Sequence, residues 1–105
     1  MLKINNVELE LDLFDADVAE KYENAVKNLQ EKEKKNSVEG KTLSQIIRSQ
    51  CTLIFDFFND VWGEGTDKKV FGNKTNYKVC EKAFKDVVQY TANFQKELKS
   101  FKLKK

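Results

Sequence analysis

Apolar positions along this chain change rhythm twice, and each rhythm names an element. Leu2 and Ile4 are followed by Asn5-Asn6 and then by Val7-Glu8-Leu9-Glu10-Leu11. The period of two puts Val7, Leu9 and Leu11 on one face and the glutamates on the other. Asparagine tolerates the positive φ of a tight hairpin turn, so residues 1–12 read as a β-hairpin. A two-stranded hairpin is marginal alone in water, and its apolar face is therefore expected to lie on helices or on another subunit.

From Asp15 the spacing becomes helical. Asp15 serves as N-cap, with Asp17 and Glu20 in the first turn, and Val18, Ala19, Tyr22, Ala25, Val26 and Leu29 form one apolar stripe. The polar run Gln30 to Lys35, without an apolar anchor, is a solvated end of this first helix, over 15–35, or a linker, and Asn36-Ser37 with Gly40 closes it. A second helix, over 42–62, opens on the capping-box pattern Thr42-x-x-Gln45. Its stripe is Leu43, Ile46, Ile47, Cys51, Ile54, Phe57, Phe58 and Val61, widened by Leu53 and Phe55. A helix apolar over most of its circumference is the centre of a small core or the face of a partner site.

Residues 63–76 form a glycine-containing connector, with one helical turn at Asp67 to Phe71 stopped by Gly72. The last helix, over 76–101 and capped by Thr75 or Asn76, carries Tyr77, Cys80, Phe84, Val87, Thr91, Phe94, Leu98 and Phe101 at alternating steps of three and four. That seam lies either on the second helix or between subunits. Leu98 and Phe101, set among lysines, have little to pack on in so small a domain and point to intermolecular burial. The expected fold is thus mainly α and a single domain over 1–105. A short N-terminal β-hairpin precedes three helices, the last long and amphipathic.

Composition narrows the chemistry. The chain has 105 residues, 40% hydrophobic and 34% charged, with no His and no Pro. Lacking His, it has no Ser-His-Asp or Cys-His machinery of its own and no His-containing zinc site. The net charge is only +2 and Arg48 is the sole arginine, which argues against base readout and makes nucleic acid an unexpected partner. The charge is unevenly spread. Residues 1–20 hold six acids against Lys3, while Lys96, Lys99, Lys102, Lys104 and Lys105 face only Glu97 in the last ten positions. That basic end reads as a solvated helix terminus.

Cys51 and Cys80 form no Cys-x-x-Cys and read as small buried hydrophobes of a reducing compartment. With no leader pattern and no spanning apolar run, the expected location is cytoplasmic, away from membranes. The segment Asp60 to Asp67 puts Trp62 and Glu64 where a calcium loop needs Asp or Asn, and Gly63-x-Gly65 lacks the Gly-Lys-Ser/Thr of a phosphate loop. Asp56 and Asp60, one turn apart, fit the solvent face of the second helix better than an acid–base pair. No enzyme activity, cofactor or metal is expected. The aromatic cluster Phe55, Phe57, Phe58, Trp62 and Phe71 reads first as core, with interface anchoring as the alternative.

The segment from Phe57 to Asn76 resembles a motif, approximately FF-x-x-hFGEGT-x-x-hhFG-x-x-x-N, of small proteins encoded by phages and prophages of Gram-positive bacteria. The resemblance covers most of residues 1–95, and Trp62 stands where the motif has Phe. It implies a tail-module protein similar to the tail assembly chaperones, which keep the tape-measure protein soluble while the tube polymerises. The implied partners are tape-measure or tail-tube protein, with possible homo-oligomers, in the cytoplasm of a bacterial host. The runner-up is a stoichiometric inhibitor of a host defence protein. On this reading Gly63 to Gly72 sets the angle between the last two long helices, and the candidate interaction or hinge residues are Phe55, Phe58, Trp62, Gly63, Gly65, Val70, Phe71, Gly72, Leu98 and Phe101.

Overall fold

The N-terminal alternation folds as its period requires. In the computed structural model, which describes residues 2–103 of the backbone and side chains through residue 99, β1 (Leu2–Ile4) pairs antiparallel with β2 (Val7–Leu9). The register sets Ile4 opposite Val7 across Asn5 and Asn6, whose φ values of 48° and 68° are those of the tight turn. Leu2, Ile4, Leu9 and Leu11 are buried against the helices, which supply the support that a lone hairpin lacks.

Four helices follow: α1 (Ala16–Lys35), α2 (Leu43–Trp62), α3 (Thr66–Phe71) and α4 (Tyr77–Leu103). The caps are those that the sequence signals. Asp15 accepts from the backbone of Asp17 and Val18, Thr42 and Gln45 close a complete capping box, and Asn76 Oδ1 accepts from Val79 N at 3.2 Å. The connector's expected turn is the six-residue α3. Helix α2 is the central element, with α1 and α4 packed on it and with Cys51, Phe57 and Phe58 fully buried. Leu43, expected in the α2 stripe, is instead 75% exposed. The apolar stripe of α1 ends at Leu29, well before its own C-terminus, so it does not cover the first turn of α2.

The motif segment builds a corner. Gly63 ends α2 at φ 108°, ψ 160°, and Gly72 ends α3 at φ 61°, ψ −131°; only glycine occupies either region without strain. Asn59 Oδ1 accepts from Asp67 N at 3.0 Å, and Thr66 Oγ1 donates to Gly63 O at 2.7 Å, which satisfies a buried hydroxyl. The hairpin clasps this corner from outside. Asn5 Nδ2 donates to Val70 O at 3.1 Å and Trp62 Nε1 donates to Glu10 O at 2.7 Å. A Cβ at Gly63 would meet no atom within 4 Å, so the cost of Gly63→Ala is dihedral alone. Urea unfolding is expected to show a loss of about 1–3 kcal/mol, and an unchanged midpoint would contradict this account of the corner.

Cys51 and Cys80 are free thiols at the α2–α4 contact, both fully buried. Burial, reinforced by the neighbouring Cys51 sulfur, pushes the Cys80 thiol from 9.0 up to about 12. A thiol that ionises less readily in the folded chain leaves stability intact below its unfolded pKa. Stability is then lost as pH rises from about 9 towards about 12, at roughly 1.4 kcal/mol per pH unit. Cys80→Ala is expected to flatten this alkaline slope in urea titrations, and equal slopes in both proteins would refute the assignment.

Candidate protein-interaction groove

Helices α1 and α4 lie on α2 side by side, and the space between them forms a groove. Leu53 and Ile54 of α2 make its floor, Leu29 of α1 one wall, and Phe84 and Val88 of α4 the other, around a volume of about 600 Å³. Past Val88 it continues into a cleft of about 330 Å³ between Tyr22 and Val26 on one side and Thr91 and Ala92 on the other. Along α4 the two together run from Tyr77 to Gln95, about 27 Å at the helical rise. Five turns of a partner helix span that length.

The polar groups here either satisfy one another or stand at the lip. Tyr22 OH and Thr91 Oγ1 are 3.3 Å apart, and Thr91 Oγ1 also donates to Val88 O at 2.8 Å, so the polar residue in the α4 seam is fully accounted for. At the lip Tyr77 OH donates to Glu81 Oε2 at 3.1 Å, with Lys78 and Lys85 at 3.5 and 3.8 Å from the same carboxylate. The Tyr77 hydrogen bond holds Glu81 below the ordinary carboxylate range, aided by the two lysines, and raises Tyr77 above the usual phenol value. These exposed pairs contribute little to stability.

The candidate residues from the motif divide three ways. Phe58, Val70 and Phe71 are buried and cannot anchor a partner: the Phe71 ring packs on Phe55 and Phe58 at 5.1 and 5.2 Å, inside the corner. Phe55 and Trp62 are half-buried at its rim, and Gly63, Gly65 and Gly72 hold positive φ there. These residues form the turn between α2 and α3 and lie outside the groove. Leu98 is 50% exposed near the end of α4, and the Phe101 side chain lies outside the described residues. Asp56 pairs with Lys32 at 3.2 Å and Asp60 faces solvent. Among the described residues, no group of three or more His, Cys, Asp or Glu side chains gathers to hold a metal ion, and no helix is long and apolar enough to cross a membrane.

Sequence periodicity missed Leu53 and Val88 as groove residues. The available signal was a second α4 stripe of mixed polarity, Tyr77, Glu81, Phe84, Val88, Ala92 and Gln95, running beside the heptad seam.

Residues 5–105 match DUF6673, a family of unknown function. The chain belongs to the DUF6673 family. No curated protein and no solved structure matches it. The DUF6673 match begins at the hairpin turn and takes in the whole corner and every residue of the groove.

Proposed function

We propose that this protein is a non-enzymatic phage or prophage morphogenesis factor, a tail assembly chaperone that holds an amphipathic helical segment of the tape-measure protein in the α1–α4 groove. The observation that carries the reading is the groove itself, apolar in floor and walls, charged at its lip and five turns long. A tape measure is a long helical chain whose apolar stripe aggregates unless covered. Helix-in-groove docking covers such a stripe without any chemical step. The resemblance of the Phe57–Asn76 segment to phage tail-module proteins supports the same reading, and it sets the site of action in the cytoplasm of the bacterial host. Tail-tube protein is the second client that this role admits.

The test is affinity capture of the tagged chain from induced prophage-bearing cells, read by mass spectrometry. Tape-measure or tail-tube protein is expected in the eluate, with the bait absent from finished virions. Recovery of one host protein in their place would overturn the chaperone reading in favour of a defence inhibitor.

A further inference from the structure

We infer that in the absence of a client part of the groove is occupied by the C-terminal end of α4 from a second copy of this chain. The inference rests on the groove being the docking site proposed above, and not on which client it serves.

The inner face of α4 carries it. Cys80, Val87 and Thr91 are buried on α2, and Phe94 still has partners, its ring 4.8 Å from Phe14 and 5.2 Å from Tyr90. Leu98 continues that face one heptad after Thr91 but is 50% exposed. The end of α4 is therefore an amphipathic helix with an uncovered apolar side. It is one continuous helix with the groove wall, so it has no hinge by which to fold back into its own groove. Only another copy's groove is within its reach.

Charge selects the same pairing. Glu23, Glu33 and Glu81 line the groove's two clefts against Lys85, with Lys78 also beside Glu81, whereas residues 96–105 carry five lysines against Glu97. Each copy thus offers an apolar groove with an excess of carboxylates at its lip and a lysine-rich C-terminal stretch. Exchange of the two ends about a two-fold axis satisfies both grooves and closes the assembly at two.

Sedimentation of the full chain tests this directly. The wild type is expected to be dimeric, and both Glu23→Lys/Glu33→Lys and Lys96→Glu/Lys99→Glu are expected to weaken the dimer at least about tenfold. All four side chains are exposed, so neither variant threatens the fold. An equimolar mixture of the two is expected to restore dimers, since each reversed end then meets a groove of opposite sign. A wild type that stays monomeric up to about 100 μM, or a mixture that fails to associate, would overturn the inference. The client reading is scored separately: capture of tape-measure protein by a chain that never self-associates would defeat only the self-docking. Restored dimers without client capture would uphold the self-docking and defeat the client reading.

Discussion

Replacing Phe57 by alanine is expected to remove a large part of the protein's stability, about 3–5 kcal/mol. A domain of this size has only about 5–15 kcal/mol in total. Phe57 is 1% exposed, and its ring meets Tyr22 of α1 at 6.0 Å, Phe58 of α2 at 5.8 Å and Phe84 of α4 at 5.1 Å. Truncation opens a cavity at the one point where three helices meet, and it also removes three edge-on aromatic contacts worth roughly 0.5–1.5 kcal/mol each beyond their buried area. Phe57→Leu, which keeps most of the volume, is expected to cost about 1.5 kcal/mol. Urea unfolding followed by circular dichroism decides. A loss below about 1 kcal/mol for the alanine variant would show that the core is centred elsewhere.

The second large effect falls on binding and spares the fold. Val88 belongs to both clefts of the groove and is 43% exposed. Val88→Asp should therefore change stability by no more than about 0.5 kcal/mol. In the complex it buries an unpaired carboxylate against the client's apolar stripe, which is expected to weaken client binding about 100-fold, or roughly 2.7 kcal/mol. Val79→Asp is the matched control, since Val79 is also on α4 and 37% exposed but lies outside both clefts. Titration calorimetry with a tape-measure helix should separate the two variants. Equal losses, or none, would remove Val88 from the interface.

Much of the fold was legible because its signals are local. The Asn5-Asn6 turn, the Asp15 cap, the Thr42–Gln45 box and the seam of α4 all depend on residues within a few positions of one another. The groove was not legible, for a physical reason. A stripe of apolar residues says that one face of a helix is covered, but it does not say by which neighbour, nor whether two helices on a third touch each other. The groove exists because α1 and α4 lie beside each other on α2 and meet through few side chains such as Tyr22 and Thr91, a property of spacing that no single helix records. Phe58 and Phe71 were similarly ambiguous as core or anchors. What buries them is a clasp between residues remote in sequence, Asn5 to Val70 and Trp62 to Glu10. The glycines of the motif hold positive φ at the ends of α2 and α3. Its aromatics fill the inside of that corner and leave partner contact to the groove.

Site-specific photo-crosslinking with the tape-measure protein co-expressed tests whether the α1–α4 groove holds the client. A crosslinking residue placed at position 88, in the groove, is expected to capture tape-measure peptide, and one placed at position 43, where Leu43 is exposed at the far end of α2, is not. Capture from position 43 with none from position 88 would contradict the assignment of the α1–α4 groove as the docking site.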